Sequence, residues 1–186
     1  MLSLPDLTPS REQRLKELAH DLVNSAYLRG DFILSSGVRS RYFFDKYLFE
    51  TKPGILRRIA TFLAEMIPPG VDRLAGMEMG AVALATAVSL ETGLPFVIMR
   101  RDAKMDAVRL VEGELYPGER AVVIEDVVTT GSQSIRTARQ LAKAGAQVPL
   151  ILAVIDREEG AAQNIAAAGF ALRTLFHRGE LELRET

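Results

Sequence analysis

Apolar positions along this chain fall into two alternating rhythms, one of helical spacing and one of short unbroken runs. Over residues 10–27, Leu15, Leu18, Ala19, Leu22, Val23 and Ala26 share one helical face, and Ser10 with Gln13 matches a capping box. Arg29-Gly30-Asp31 ends that helix. Residues 32–45 then read as two short strands around a Ser35-Ser36-Gly37 turn. Such a hairpin does not fit a strand-helix-strand plan, so it is expected as a small hood outside the main sheet. Phe43 and Phe44 within it suit either stacking on a planar ligand or plain core packing.

From Thr51-Lys52-Pro53 a second helix runs to about residue 66, with Ile55, Ile59, Phe62, Leu63 and Met66 on one side, and Pro68-Pro69-Gly70 stops it. Strand-like runs follow at 71–76, 94–99, 121–124, 148–155 and 170–175. Helices are expected at 80–90, 135–144 and 161–168, with Gly145 closing the second of these. Residues 102–117 lack sustained apolar periodicity and read as a lid-like loop or loose hairpin. Strands alternating with helices imply an α/β fold, a parallel sheet with right-handed crossovers.

The chemistry concentrates in one stretch, Ala121-Val-Val-Ile-Glu125-Asp126-Val127-Val128-Thr129-Thr130-Gly131-Ser132-Gln133-Ser134. A buried strand leads into two adjacent acids, a small-residue turn and a helix start. Thr129, Thr130 and Ser132 offer hydroxyls, Gly131 permits positive φ, and the helix N-terminus presents amide donors suited to phosphate. Carboxylates do not bind phosphate directly. Glu125 and Asp126 instead suit the hydroxyls of a sugar joined to that phosphate, or a bridging Mg²⁺. A sugar phosphate is the expected ligand, although a strand end followed by a simple helix cap would carry the same residues.

Further cations stand at strand ends. Arg100, Arg101 and Lys104 follow the 94–99 strand, and Arg157 follows the 148–155 strand, where open α/β sheets bind ligands. Taken alone, the first three also fit a solvated basic patch. Gly76 and Gly80 flank a tight loop whose amides can face an anion, a weaker signal.

Composition narrows the alternatives. With 186 residues and 20.4 kDa, one domain is the working count, a hood over about 1–50 and a sheet core over about 51–176. A net charge of −1 gives no global pull toward nucleic acid or an anionic membrane. Without cysteine, thiolate catalysis and cysteine metal sites are excluded, and two histidines do not make a zinc site alone. The N-terminus lacks the pattern of a signal peptide and no apolar run approaches a membrane span, so a soluble, cytoplasmic protein is expected.

The central string closely resembles the phosphoribosyl-pyrophosphate (PRPP) signature of type I phosphoribosyltransferases: apolar residues, two acids, two apolar residues, then Thr-Thr-Gly-Ser. It is neither a P-loop nor a dinucleotide fingerprint. With Leu34-Ser-Ser-Gly37…Ser40-Arg-Tyr-Phe-Phe-Asp45, Arg100-Arg-Asp-Ala-Lys104…Arg109-Leu-Val-Glu-Gly113 and Ile155-Asp-Arg-Glu-Glu-Gly160, the likeness to orotate phosphoribosyltransferases runs from about 32 to 170.

That resemblance implies a type I phosphoribosyltransferase-like sheet with a hood, and transfer of 5-phosphoribosyl from PRPP to orotate. It assigns PRPP to Arg100, Arg101, Lys104, Glu125, Asp126, Val127, Val128, Thr129, Thr130, Gly131, Ser132 and Gln133. Orotate falls to Phe43, Phe44, Thr129 and Arg157, and catalysis to Arg101, Lys104 and Asp126. Mg²⁺ would be held only indirectly by Glu125 and Asp126, through PRPP and water. A homodimer with shared active sites is implied as well.

Three positions depart from the family pattern. Ser35 replaces a frequent lysine, Met79 stands where a lysine often precedes Gly80, and Lys104-Met105-Asp106-Ala107 lacks the loop histidine. Either catalysis leans on Arg101 and Lys104, or the chain is a paralogue with altered activity. A transferase for another base and a PRPP-binding regulator without turnover are the two other readings.

Overall fold

The structure is a computed structural model that describes residues 9–33, 39–101 and 110–181, with Ser40 and Tyr42 described by their backbone alone. Helix α1 (Arg11–Ala26) starts at a complete capping box: the Ser10 hydroxyl accepts from the Gln13 N–H, and the Gln13 side chain accepts from the Ser10 N–H. Leu18, Leu22 and Ala26 bury one face of it. The chain then enters β1 (Tyr27–Ile33), earlier than the Arg-Gly-Asp stop suggests, and pairs antiparallel with β2 (Arg39–Phe44). Arg29 and Gly30 lie inside that strand, where the register shifts before Phe32. A glycine within a strand often marks such an irregularity. This two-stranded hood stands apart from the main sheet.

A one-turn helix α2 (Tyr47–Glu50), absent from the expectations, joins the hood to α3 (Pro53–Met66), which has proline in its first turn. The remaining elements are β3 (Arg73–Met77), α4 (Gly80–Thr92), β4 (Phe96–Met99), β5 (Val111–Glu112), β6 (Ala121–Val128), α5 (Ser132–Lys143), β7 (Ile151–Asp156), α6 (Ala161–Ala167) and β8 (Leu172–His177). A short 3₁₀ turn, Arg178–Leu181, follows.

The main sheet has the order β5-β4-β3-β6-β7-β8, parallel throughout except for β5. The antiparallel β4–β5 pairing makes the base of the 102–117 segment a hairpin, as its pattern allowed. Residues 102–109, and with them Lys104 and the missing-histidine loop, lie outside the described residues. So does the 34–38 turn of the hood.

Alternation along β6 decides how the interior is divided. Val122 and Ile124 pack with Leu22, Phe49, Ile59, Leu63 and Leu84 on one side of the sheet, whereas Ala121 and Val123 pack with Met99, Leu141 and Ile165 on the other. Each fully buried aliphatic side chain contributes about 1.5–3 kcal/mol relative to exposure. The two layers therefore fix the register of β6, and a slip by one residue would reverse both sets. That same alternation sends Glu125 and Asp126 to opposite faces.

Candidate functional site

Strand order grows outward in both directions from β3 and β6, so their carboxyl ends diverge at a topological switch point, the usual location of ligands in open α/β sheets. A cavity of about 450 Å³ opens there. Its walls are the β3–α4 connection, Met77 to Ala81, and the end of β6 with the start of α5, Glu125 to Ser134. Lys46, Tyr47, Arg101 and Arg136 complete it.

The turn after β6 has the left-handed glycine and the helix start that its residues suggest. Gly131 has φ +75°, and a side chain there would press within 2.9 Å of Ile165 Cγ1, so the turn both needs a left-handed residue and leaves no room for a Cβ. The Asn164 side-chain amide donates to the Thr130 carbonyl at 2.9 Å, and the Thr130 and Ser132 hydroxyls lie 2.8 Å apart. Helix α5 begins at Ser132, and its first-turn N–H groups, which have no carbonyl partner within the helix, face the cavity. The cradle is held rigidly by α6.

Glu125 and Asp126 lie within β6 rather than after it, which buries both. On one face the Ser134 hydroxyl donates to Glu125 Oε2 at 3.1 Å. Ser134 is itself buried, so its hydroxyl serves the acid rather than the cradle, unlike Thr130 and Ser132. On the other face Lys46 Nζ forms an ion pair with Asp126 Oδ2, and the Val127 N–H donates to Asp126 Oδ1. Gly80, opening α4, has no side chain to block that meeting: a Cβ there would overlap Asp126 Oδ2 and stand 2.7 Å from Lys46 Nζ.

Glu50, one turn after Lys46, is 3 % exposed and joins the same cluster. Burial pushes its carboxyl up to about 8, and the neighbouring Asp126 adds to the rise. Glu125 is likewise pushed up to about 8 by burial and by Asp126, with the Ser134 hydrogen bond and Lys46 opposing. The Lys46 ammonium is held above its ordinary range: desolvation pulls it down, but Asp126 outweighs that. Three acids and one ammonium thus form one cluster, of which Lys46, Glu125 and Asp126 line the cavity.

The sequence-derived candidates divide accordingly. Arg101, Glu125, Asp126, Val127, Val128, Thr129, Thr130, Gly131, Ser132 and Gln133 line the cavity. Arg100 does not; its guanidinium pairs with Glu112 at 2.9 Å and approaches Glu78 at 3.8 Å. Phe44 packs on Phe49 and the core, the plain reading of that residue, while Phe43 is 39 % exposed and tilts against Phe32. Arg157 stands beside the end of β6, its N–H donating to the Val128 carbonyl at 2.9 Å, and its side chain pairs with Glu159.

Lys46, Glu50 and Arg136 were missed. The available signal was Lys46 and Glu50 bracketing the apolar Tyr47-Leu48-Phe49, since charges placed one turn apart around a buried aromatic need a partner. Met79, in the position noted for its missing lysine, is 73 % exposed on the cavity wall.

Among the described residues, no cluster of three or more His, Asp or Glu side chains is arranged to hold a metal ion. The acids in this corner already engage Lys46 and Ser134. Among the same residues, no helix is long and apolar enough to cross a membrane.

Comparison with known proteins agrees with this geometry. The family model for the phosphoribosyl transferase domain matches residues 49–169. The chain is 42% identical over 153 residues to the orotate phosphoribosyltransferase of Methanocella arvoryzae, covering 82% of this chain and 87% of that one. Among solved structures it is similar to the Mycobacterium tuberculosis H37Rv orotate phosphoribosyltransferase in complex with Fe(III) dicitrate, with a TM-score of 0.83 and 28% identity. The complex of that enzyme with 5-phospho-α-D-ribosyl 1-diphosphate gives a TM-score of 0.79 at 26% identity, and each comparison covers 91% of this chain and 99% of the other.

Proposed function

Because this chain belongs to the phosphoribosyltransferase family, and within it to the orotate phosphoribosyltransferases, we propose that its cavity at the β3–β6 switch point binds PRPP and delivers the phosphoribosyl group to orotate. The products are orotidine 5′-phosphate and pyrophosphate, a step of pyrimidine biosynthesis. One observation carries the assignment of the site: a helix start with flanking hydroxyls and two acids, contiguous along the chain, line a single cavity.

As the bond from C1 to pyrophosphate loosens, positive charge grows at C1 and negative charge on the departing group, so catalysis is mostly electrostatic. Thr129 to Gln133 hold the 5′-phosphate and fix C1 against the attacking ring nitrogen. Glu125 and Asp126 take the ribose hydroxyls. Arg101 faces the leaving group from the cavity wall, and Lys104 is the second cation assigned to it. Arg157, released from Glu159, forks onto the orotate carboxylate, and Phe43 offers a ring face to the base. Mg²⁺ bound to PRPP would add charge neutralisation at the pyrophosphate, with Glu125 and Asp126 touching it at most through water.

A single domain with a hood and a sheet core, acting as a cytoplasmic homodimer with shared active sites, completes the proposal. Neither nucleic acid nor membrane is expected to take part. The chain should remove orotate absorbance when mixed with PRPP and Mg²⁺, and should leave uracil, hypoxanthine and nicotinate unconverted. Consumption of another base in preference to orotate would move the assignment to a different transferase. PRPP binding with no turnover of any base would instead favour a regulator.

A further inference from the structure

We propose that Lys46 is a positioning residue of the PRPP site: seated on Asp126, it cancels the charge of the acid wall and fixes that carboxylate, so that a polyanionic sugar phosphate can settle beside it. The inference deepens the functional reading above and rests on it.

The wall poses an electrostatic problem. A donor bearing several phosphates must approach a wall that holds Glu125 and Asp126 from β6, with Glu50 from α2 beside Asp126, all three of them buried. Like charges brought together in a poorly solvated corner repel strongly. The described groups that face Lys46 are these acids and the Tyr47 ring, whose centroid lies 5.4 Å from Nζ. Helix α4 meets this pair at Gly80, and Lys46 is paired with Asp126.

The Lys46 ammonium stands against Asp126, and without it the wall would present an uncompensated carboxylate to the incoming phosphates.

Geometry supplies the second half of the role. Asp126 has one oxygen on the Val127 N–H and the other on Lys46, so its carboxylate plane is fixed from two sides. The Lys46 carbonyl also accepts the Glu50 N–H at 3.1 Å, and the Asp45 N–H donates to the Ala26 carbonyl at 2.8 Å. The ammonium is therefore anchored on a short segment tied to the end of α1. It links the hood, which reaches this segment through β2, to the sheet core.

The test uses the full chain with Mg²⁺ and PRPP, read by calorimetry and by steady-state kinetics with orotate. Lys46→Met keeps the length of the side chain and removes its charge. It should weaken PRPP binding by about tenfold or more, chiefly through KM for PRPP, as expected when a charge-assisted contact to a buried acid is lost.

A merely structural lysine would lower stability without a selective rise in KM for PRPP. Lys46 acts through Asp126, so Lys46→Met combined with Asp126→Asn should bind PRPP no more weakly than Asp126→Asn alone. If the Met variant fails to fold, Lys46→Arg against Lys46→Gln gives the same reading, with binding retained by the charged variant only. Unchanged affinity in Lys46→Met, or additive losses in the double variant, would overturn the role while leaving the function intact. A natural chain that neither binds PRPP nor consumes orotate would overturn both.

Discussion

Gly80 and Asp126 touch so closely that any side chain at Gly80 would occupy the position of the Asp126 carboxylate. The first residue of α4 is thus a steric requirement of a residue on β6. Gly80→Ala should displace the carboxylate and its Lys46 partner, lowering PRPP affinity by about a hundredfold, since a misplacement of about 1 Å in a positioning group costs that much. Calorimetric titration with PRPP checks this. Gly93, which ends the same helix with open space around it, provides the control at the level of PRPP binding: Gly93→Asn should leave affinity unchanged.

Glu50 makes stability depend on pH in a defined direction. Its carboxyl, and that of Glu125, rises from 4.5 to about 8 in the folded chain. A folded value above the unfolded one means that the contribution of each acid is fully present below about pH 4.5 and is lost as the pH climbs through about 8. Oε1 of Glu50 has no hydrogen-bond partner among the described residues, so the ionised form has little to hold it. Glu50→Gln should therefore melt higher than the natural chain at pH 8 by several degrees, at about 2–4 °C per kcal/mol for this size, and close to it at pH 5. Thermal melts at the two pH values measure the difference.

Much of this was written in local signals. The cradle could be read because Gly131 and its flanking hydroxyls are contiguous, and the α/β order because buried strands and amphipathic helices have distinct rhythms. Lys46 could not be paired with Asp126 in this way, because 80 residues separate them and only the crossover packing brings α2 onto β6. The fate of Phe44 was also hidden: whether an aromatic faces ligand or core depends on the face its strand turns inward, which Phe49 decides. Arg100 and Arg101 look alike in sequence, yet adjacent residues of an extended segment point apart, and Glu112 on β5 draws Arg100 away from the cavity.

At the opposite end of the sheet, Arg73 and Glu119 form a two-bond pair, Nε to Oε2 at 2.8 Å and Nη2 to Oε1 at 2.7 Å, with the Tyr116 ring 5.8 Å from the guanidinium carbon. This lies at the amino end of β3, away from the cavity. Arg73→Met should cost about 2 kcal/mol, the scale of a hydrogen-bonded charge pair, and lower the melting temperature by roughly 4–8 °C. KM for PRPP should not change. A melt and a kinetic assay on the same preparation separate the two effects.

Arg157 and Asp126 offer the sharpest division of labour. Arg157 leaves β7 next to the end of β6, and among the described residues its side chain pairs with the exposed Glu159 at 3.0 Å, a pair of little net worth that a substrate carboxylate can displace. A planar guanidinium fits a carboxylate with two parallel bonds. Arg157→Ala should raise KM for orotate by about 10- to 100-fold, the equivalent of about 1.5–3 kcal/mol, with PRPP affinity unchanged. Asp126→Asn removes the charge that meets the pentose and should weaken PRPP binding whichever base is offered. Orotate absorbance assays, paired with calorimetry on PRPP alone, distinguish the two variants. Equal loss of PRPP binding in both would show that Arg157 serves the donor rather than the base.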